Sequence, residues 1–257
     1  MDSGFSPEEG LRYSRQLILE KVGWPGQERL RAGRVLVVGA GGLGSAALFY
    51  LAAAGVGHLG LVDGDAVELS NLQRQILHRL ADLGRRKVDS AREALTRLNP
   101  HCRVETFDLR LTAENVPGVV RGFDVVLDAG DNFPTRVALA EGCWREGKIL
   151  VSAAVQDFSG HLMVIDPGRG TPCYRCLLPE PPPPDPGGPP LGILGAVAGV
   201  MGCLQAVETI KLLLGLPSDL ATRLLAYDGL RSRFQVMDRL KTPECPLCGA
   251  SGGNRQP

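Results

Sequence analysis

Short runs of apolar, often β-branched residues recur along the chain, and longer segments with helical periodicity separate them. A run without polar alternation is typical of a strand that is buried on both faces of a parallel sheet. The runs that predict strands are Arg34–Gly39, His58–Asp63, Arg103–Arg110, Phe123–Asp128 and Lys148–Ala154. Because strands alternate with helices, we expect an α/β fold with a Rossmann-like, mostly parallel sheet flanked by helices.

The periodic segments predict helices that end at a glycine or before a proline. They are Gly42–Ala54, Gly84–Leu98, Ala113–Val120, Phe133–Gly147 and Ile193–Leu214. An earlier helix is expected to begin at Ser6-Pro7, where serine can cap and proline fits the first turn, and to end near Trp24-Pro25-Gly26.

The first predicted strand ends in Gly39-Ala-Gly41-Gly42-Leu-Gly44, which matches G-x-G-x-x-G. In that pattern the first glycine allows a tight turn, the second lets a phosphate approach the backbone, and the third lets the helix pack on the strand. Asp63 comes 19 residues after Gly44, a spacing at which a carboxylate reaches a ribose hydroxyl. These residues predict a nucleotide site that, taken alone, suits NAD as well as ATP.

Polar residues follow Asp63 closely and favour ATP. They are Asp65, Asn71, Gln73, Arg74 and Gln75. A dinucleotide oxidoreductase needs a mostly apolar slot for its nicotinamide, whereas a triphosphate needs cations and amides along its length. The polar segment therefore indicates a triphosphate ligand.

Asp131 and Asn132 follow the fourth predicted strand, at the sheet edge where ligands of such folds bind. An aspartate there can hold Mg²⁺, which takes carboxylate oxygen while keeping waters and nucleotide phosphates as its other ligands. Asp131 can also cap the next helix. Lys87 likewise has two interpretations, because an exposed helix lysine is more common than a phosphate ligand.

Four of the seven cysteines form two C-x₂-C pairs, Cys173 with Cys176 and Cys245 with Cys248. Two such pairs predict one tetrahedral Cys₄ zinc site without an open position for water. The 68 residues between the pairs suit a structural staple for the C-terminal segment better than an independent finger. A redox role is the alternative, but the pairs lack a thioredoxin-like setting.

Charge and hydropathy narrow the choice of partners. Lys+Arg and Asp+Glu both total 28, so no attraction to nucleic acid or to an anionic membrane is expected. The uncharged stretch 186–207 is interrupted by glycine and proline and falls short of the ~20 apolar residues of a membrane span. The N-terminus has no secretory signal pattern, so we expect a cytoplasmic protein.

Several of these motifs occur together in one known family. The glycine turn, Asp63, Ser70-Asn-Leu-Gln-Arg-Gln75, Lys87 and Asp128-Ala-Gly-Asp-Asn132 resemble the MoeB/ThiF/HesA adenylyltransferases, relatives of the ubiquitin-activating enzymes. The resemblance implies ATP-dependent adenylation of the C-terminal diglycine carboxylate of a ubiquitin-like sulfur-carrier protein, with release of pyrophosphate. A separate sulfur donor would then act in molybdopterin, thiamine-thiazole or tRNA thiolation pathways.

The resemblance also implies roles for single residues. Asn71, Arg74 and Lys87 would neutralise the triphosphate, with Lys87 at the β- and γ-phosphates. Asp131 would be the magnesium ligand. The segment Arg12-Tyr-Ser-Arg15-Gln16 matches a motif whose second arginine, here Arg15, is supplied across a homodimer to the partner's triphosphate. Dimerisation would then be part of the mechanism.

One segment departs from the family. Leu177 to Leu191 holds eight prolines and matches the crossover loop that spans the carrier's tail, expected here at 177–192. Many members place a cysteine in this loop and this chain does not, so adenylation is expected without a covalent thioester or acyl-disulfide step. The departure leaves a non-catalytic scaffold as an alternative. An NAD-dependent oxidoreductase is the other, although it leaves Asp131 unexplained.

The expected organisation is one adenylation domain over residues 1–257. Its parts are an N-terminal helical segment at 1–31, a nucleotide-binding core at 32–170 and a zinc-stapled part at 171–250. The zinc-stapled part is expected to carry antiparallel strands at Arg223–Asp228 and Phe234–Met237. Before it, Gly160–Ile165 is expected to be an extended run that need not be parallel. A disordered tail is expected at 251–257.

Overall fold

An eight-stranded sheet forms the centre of the molecule. The computed structural model describes residues 4–180 and 192–249. The strands are β1 (Arg34–Val38), β2 (His58–Val62), β3 (Arg103–Phe107), β4 (Val125–Asp128), β5 (Ile149–Gln156), β6 (Ser159–Ile165), β7 (Arg223–Asp228) and β8 (Arg233–Asp238).

The strand order is β3-β2-β1-β4-β5-β6-β7-β8. The five strands from β3 to β5 are parallel, and β6, β7 and β8 are antiparallel additions. From β1 the chain builds the sheet first towards β3 and then, beginning with β4, in the opposite direction. Ligands of such sheets bind where the direction changes, beyond the carboxyl ends of β1 and β4. The predicted fold class, including the antiparallel C-terminal strands, is confirmed.

Helices cover both faces of the sheet. They are α1 (Pro7–Arg12), α2 (Ser14–Leu17), α3 (Gly23–Ala32), α4 (Gly42–Ala53), α5 (Lys87–Leu98), α6 (Val116–Val120), α7 (Phe133–Arg145), α8 (Tyr174–Leu177) and α9 (Gly195–Leu213). Successive side chains of β1 point to opposite faces, so Val35 and Val37 enter a core with α4, α5 and α9. Leu36 and Val38 enter a second core with α6, α7 and the first cysteine pair. The apolar run of β1 is thus explained by burial on both sides.

The N-terminal segment differs from the prediction of one helix ending near Trp24-Pro25-Gly26. The predicted cap is present, since Ser6 Oγ accepts a hydrogen bond from the Glu9 amide at 3.2 Å. The helix nevertheless breaks into α1 and α2, and a new helix, α3, begins at Gly23. Pro25 lies in the first turn of α3, where its missing N–H leaves no intrahelical bond unmade. The turn signal therefore marked a helix start, and the prediction was wrong at this point.

Within the described ranges, α9 is the one helix with the length and hydropathy of a membrane span. It packs against α4 so closely that a side chain at Gly202 would meet the Leu43 carbonyl oxygen at 2.3 Å. Buried Met201 and Ala206 belong to the same core as β1. The apolar composition of α9 is accounted for by this packing.

Two predicted segments fall wholly or partly outside the described residues. The structure describes the crossover loop, expected at 177–192, only as far as Glu180 and again from Gly192. The tail expected at 251–257 also lies outside the described part of the chain.

Candidate nucleotide site and cysteine cluster

The glycine turn lies between the carboxyl ends of β1 and β4, and two of its glycines are required by the geometry. Gly39 has φ of +103°, and a side chain there would meet the Ala129 carbonyl oxygen at 2.6 Å. A side chain at Gly44 would meet the Gly39 carbonyl oxygen at 1.9 Å. The strand, the turn and α4 can therefore pack this tightly only with glycine at both positions.

Gly41 differs from those two glycines because the space beside it is open. The nearest atom to a side chain placed there is Gln75 Nε2, at 3.8 Å. Gly41 is the N-cap of α4 and offers no side chain to satisfy the first helical amides. Gly42 follows as the first helical residue and packs against Arg74. The start of α4 thus presents accessible backbone N–H groups of the kind that bind phosphate.

Asp63 follows β2 directly and holds the turn from the side. Its Oδ2 accepts a hydrogen bond from the Ala40 amide at 2.8 Å, and its Oδ1 accepts one from the Asp65 amide at 2.9 Å. The carboxylate is therefore fixed next to the glycine turn, at the sheet edge where a ribose would lie.

Lys87 and Asp65 form an ion pair beside Asp63. The Lys87 ammonium is 3.2 Å from Asp65 Oδ2, and Arg110 approaches Asp65 Oδ1 at 3.0 Å. Burial alone would raise the pKa of Asp65, but the two cations outweigh it and hold that pKa below its ordinary value. Lys87 is 7% exposed at the first residue of α5. It is not the solvated helix lysine that its sequence position alone suggested.

The segment after the second strand carries three polar candidates, of which Arg74 and Gln75 lie against the turn. Asn71 ends a 3₁₀ turn, and its Oδ1 accepts from the Glu68 amide at 3.1 Å. The Arg74 guanidinium donates to the Ser70 carbonyl oxygen at 3.1 Å. Gln75 is 4% exposed, and its Oε1 has no hydrogen-bond partner among the described residues. The Nε2 of the same amide is the atom nearest to Gly41, so this amide group would offer an unpaired acceptor to a ligand bound at the turn.

Asp131 is exposed just beyond β4. The sequence left two roles open for it, a magnesium ligand and the cap of the next helix. The cap of α7 is Asn132, whose Oδ1 accepts from the Thr135 amide at 2.9 Å. The capping role proposed for Asp131 is therefore wrong. Asp131 lies three residues beyond the carboxyl end of β4, the strand that pairs with β1 at the switch point of the sheet.

A buried ion pair that was not predicted supports this edge of the sheet. Arg136 Nε donates to Asp128 Oδ2 at 2.8 Å, and Ser152 Oγ donates to the same oxygen at 2.8 Å. Burial opposes the charge of Arg136, but Asp128 outweighs it and keeps the pKa of the guanidinium above its ordinary value. Arg136 also donates to the Gly130 carbonyl oxygen at 2.8 Å, which fixes the loop carrying Asp131.

Sequence did contain a signal for Arg136. It lies three, four and seven residues before Leu139, Ala140 and Cys143, which form the buried stripe of α7. A charged residue in such a stripe needs a buried partner, so it is a candidate for a structural or catalytic role.

His78 is a second buried residue that sequence reasoning missed. Its Nε2 lies 3.0 Å from the Ala40 carbonyl oxygen and its Nδ1 lies 2.9 Å from Ser90 Oγ. A carbonyl can only accept, so Nε2 carries the proton and Nδ1 accepts from Ser90. Burial is the largest cause that lowers the pKa of His78. The neutral ring thus connects the glycine turn to α5, the helix of Lys87.

Arg15 is not brought to the glycine turn of its own chain. Gln16, the next residue, donates to the Ala54 carbonyl oxygen at 2.7 Å, and Tyr13 accepts from Asn99 at 2.9 Å. These contacts hold α2 at the C-terminal end of α4. The glycine turn is at the other end of this 12-residue helix, about 18 Å away. Arg15 itself is exposed.

The four predicted metal ligands form one cluster, which packs in the same core as α6 and α7. Their sulfur atoms all lie within 4.8 Å of one another. The Sγ–Sγ distance is 3.9 Å between Cys173 and Cys176, 3.4 Å between Cys173 and Cys245, and 3.3 Å between Cys176 and Cys248. A regular zinc tetrathiolate with Zn–S of about 2.3 Å needs about 3.8 Å between sulfurs. The donor set and spacing therefore fit a zinc ion.

The remaining cysteines have no such arrangement. Burial raises the pKa of Cys102 to about 12 and raises the pKa of both Cys143 and Cys203. A raised thiol pKa disfavours the nucleophilic thiolate. Cys143 and Cys203 lie in the apolar helices α7 and α9, where inert thiols are expected.

Comparison with known proteins identifies the group to which this arrangement belongs. The model of the ThiF family matches residues 13–247. The sulfur carrier protein adenylyltransferase of Thermus thermophilus is 45% identical over 258 residues, covering 98% of this chain and 95% of that protein. The SAMP-activating enzyme E1 of Haloferax volcanii is 48% identical over 245 residues, covering 94% and 89%.

A longer relative and two solved structures extend the comparison. The adenylyltransferase and sulfurtransferase MOCS3 of Drosophila sechellia is 49% identical over 245 residues; the match covers 93% of this chain but only 53% of that protein. The microcin C7 biosynthetic enzyme MccB superposes with a TM-score of 0.83 at 22% identity, covering 93% of this chain and 75% of that one. PaaA gives 0.79 at 21% identity, covering 93% and 76%. At such low identity these two structures support the fold alone.

Proposed function

The chain belongs to the ThiF family, and from that premise we propose that it is an ATP-dependent adenylyltransferase acting on a ubiquitin-like sulfur-carrier protein. The substrate group is the C-terminal diglycine carboxylate of the carrier. One observation carries the proposal at the level of the site. Arg74 packs against Gly42 at the start of α4, whose N-cap Gly41 leaves the first helical amides without a side-chain partner, and Asp131 follows the neighbouring strand β4.

The proposed reaction forms a bond between a carboxylate oxygen of the carrier and the α-phosphorus of ATP. The bond from that phosphorus to the bridging oxygen of pyrophosphate breaks, and pyrophosphate leaves with the electron pair. A carboxylate is already ionised at neutral pH, so no general base is required. Catalysis then depends on alignment and on neutralising the negative charge of the phosphates.

The residues around the turn supply that neutralisation in our proposal. The backbone amides at Gly41 and Gly42 hold phosphate oxygens, and Asp63 accepts from the ribose. Arg74 and Lys87 provide positive charge, and Asn71 contributes its amide. The Lys87 ammonium pairs with Asp65. The phosphates of ATP would compete with this carboxylate for the ammonium.

Asp131 is our candidate ligand for Mg²⁺, with Asn132 beside it. It is an exposed carboxylate, and Arg136 and Asn132 fix the backbone on both sides of it. The ion would neutralise phosphate charge when bound. Asp131 itself keeps its carboxylate at the sheet edge, and the Asp128–Arg136 pair keeps the loop in place.

We propose that the active unit is a homodimer in which Arg15 reaches the triphosphate of the partner subunit. The anchoring of α2 far from the glycine turn of the same chain supports supply in trans. Exposed apolar side chains in the N-terminal segment and near the nucleotide site also support an interface, because a second copy would cover them. They include Leu11, Ile18, Leu69, Ile76 and Leu80, each more than 60% exposed.

The folded body of the carrier is proposed to dock on the antiparallel part of the sheet. Ser159 at the start of β6 pairs with Asp228 at the end of β7, so the β7–β8 turn lies at the same edge as Asp131. Leu230 in that turn is 71% exposed, and the neighbouring Phe234 is 50% exposed. An apolar surface at this edge would place the carrier's tail towards the nucleotide.

The carrier decides which pathway the chain serves: molybdopterin, thiamine-thiazole or tRNA thiolation. A separate sulfur donor would consume the adenylate. We place this chemistry in the cytoplasm, where the seven cysteines stay reduced and four of them can hold a structural zinc. The crossover-loop position has no cysteine, so adenylation is proposed without a covalent enzyme–carrier step.

Carrier-dependent exchange of labelled pyrophosphate into ATP tests the proposal. The host's diglycine-ended carriers would be offered one at a time, each beside a variant that lacks the final glycine. We expect exchange with one intact carrier and none with its shortened form. ATP binding without exchange for every carrier would instead favour a scaffold.

A further inference from the structure

Arg239 is a buried arginine whose side chain enters the molecule just after β8. It is 8% exposed. Its guanidinium donates to the carbonyl oxygens of Pro172 at 3.1 Å, Val164 at 2.5 Å, Leu220 at 3.1 Å, Ala221 at 2.9 Å and Arg223 at 3.2 Å, and it touches Met163 Sδ at 3.5 Å. The side chain therefore connects β6, β7 and the segment before the first cysteine pair.

All of these acceptors are electrically neutral. Among the described residues, no carboxylate is a hydrogen-bond or ion-pair partner of Arg239. The adjacent Asp238 instead pairs with Arg223 at 3.1 Å, and its side chain is 77% exposed. Carbonyl oxygens satisfy the hydrogen-bonding geometry of a guanidinium but supply no opposite charge. A buried cation without a counter-charge is costly, so a negative group is expected nearby.

The cysteine cluster is the candidate for that negative group. Pro172, an acceptor of Arg239, is the residue before Cys173. Arg239 and Cys176 line the same cavity of about 320 Å³. The sulfurs of Cys176 and Cys173 oppose the effect of burial, which lowers the pKa of Arg239 to about 10. Four neutral thiols would leave the guanidinium uncompensated. Four thiolates with one Zn²⁺ carry a net charge of minus two.

We propose that Arg239 is the buried counter-charge of a zinc tetrathiolate formed by Cys173, Cys176, Cys245 and Cys248. The guanidinium stabilises the anionic cluster, and the cluster compensates a charge that is otherwise unpaired in the core. Zinc loading and the packing of the segment that follows β8 are therefore coupled. The inference rests on the cysteine cluster alone and does not depend on which substrate the chain adenylates.

A counter-charge role and a packing role predict different effects of removing Arg239 from the zinc-loaded and the zinc-free chain. If Arg239 acts as a counter-charge, removing its charge harms the zinc-loaded chain and relieves the zinc-free chain of an unpaired cation. If Arg239 serves only through packing and hydrogen bonds, its removal harms both forms alike. The difference between loaded and stripped protein is thus the informative quantity.

Three variants of the full chain would measure it. Arg239→Met keeps an apolar stem without charge, and Arg239→Lys keeps the charge with fewer donors. Arg223→Met is the control, because it removes a nearby arginine whose ion pair is exposed. The measurements are the rate of zinc release to a chromogenic chelator and the Tm of zinc-loaded and zinc-stripped protein.

We expect Arg239→Met to release zinc about 10- to 100-fold faster, the range for residues that support metal ligands. Its Tm should fall more in the loaded form than in the stripped form, because the lost hydrogen bonds are common to both forms. Arg239→Lys keeps the charge but loses donors, so it should release zinc faster than the parent and clearly more slowly than Arg239→Met, and Arg223→Met should match the parent. An equal loss of Tm in both forms with unchanged release overturns the proposal. So does a lysine variant that releases zinc as fast as the methionine variant, or a parent chain that takes up no zinc. If Arg239→Met does not fold, the lysine variant alone decides.

Discussion

The parallel and antiparallel parts of the sheet are stabilised in different ways. In the parallel part, four of the five residues of β1 are buried, and helices cover both faces. In the antiparallel part, all six residues of β8 are exposed. Strand β8 is held by its pairing with β7. Arg239, just after β8, and the cysteine cluster connect this region to the rest of the molecule. The parallel strands and β6 thus share the two cores, whereas β7 and β8 depend on a few specific connections.

The two parts also differ in the candidate functional residues that they carry. Every candidate nucleotide residue other than Arg15 follows a parallel strand or starts a helix packed on that part. The antiparallel part contributes an exposed edge and the staple that keeps it in place. A change in one part should therefore leave the other largely intact, and this expectation can be tested from both sides.

The largest effect is expected at Asp131, and Asp124 at the opposite end of β4 provides the control. Asp131→Asn should slow adenylation on the order of 10³-fold, because it removes the proposed magnesium ligand. Asp124→Asn is the matched control, since Asp124 lies at the amino end of the strand and accepts from the Arg34 amide at 2.9 Å. Pyrophosphate exchange measures both. Near-normal exchange in Asp131→Asn, with a folded chain, would remove Asp131 from the mechanism.

Zinc removal should act on the antiparallel part first. Without the metal the staple is lost, so amide hydrogen exchange in β7 and β8 should rise at least about tenfold. Amides of β1 and β4 should keep more of their protection, because one face of these strands packs in a core with α4, α5 and α9 that contains none of the four metal ligands. Mass-spectrometric hydrogen exchange before and after chelation measures this, and re-addition of zinc is the control. A uniform loss of protection would mean that the two parts are not separable.

Mixed dimers test whether the nucleotide site needs a second copy. Arg15→Ala and Asp131→Ala should each be inactive alone. After subunit exchange, a mixed dimer holds one site with both residues intact, so an equal mixture should recover about a quarter of the parent rate. Failure to recover, with subunit exchange demonstrated by mass, would count against Arg15 acting in trans.

The smallest effect concerns the ring that supports the glycine turn. The pKa of His78 is lowered in the folded chain, so the unfolded chain binds a proton that the folded chain refuses. Unfolding free energy should therefore fall as pH falls below about 6.5, by at most about 1.4 kcal/mol per pH unit for this group. His78→Gln should lack this contribution. Urea unfolding of parent and variant at about pH 7.5 and 5.5 measures it. An identical pH dependence would contradict the assigned neutral ring.

How much the sequence could predict also differs between the two parts. Gly39, Asp63 and Asp131 come at or shortly after the ends of predicted strands in the sequence. The rule that ligands bind at the carboxyl ends of parallel strands was therefore enough to assign them to one site. The strands and the cysteine pairs were predicted for similar local reasons. Short-range patterns thus determined most of the parallel part and its candidate site.

The features that were missed depend on partners far away in sequence. Arg239 contacts carbonyls 67 to 75 residues earlier in the chain, at Pro172 and Val164, and no local pattern indicates them. His78 is connected to Ala40, 38 residues away. The break before α3 was missed because a proline turn can end one helix or begin the next, and only packing decides which.

The most direct test of the central claim is the mass of the carrier itself. The chain would be incubated with ATP, Mg²⁺ and the carrier that supports exchange, without a sulfur donor, and the intact carrier would be weighed. The proposed reaction predicts a carrier heavier by one adenylyl group at its C-terminal glycine, with one pyrophosphate released for each. A carrier of unchanged mass under conditions in which ATP is bound would contradict it.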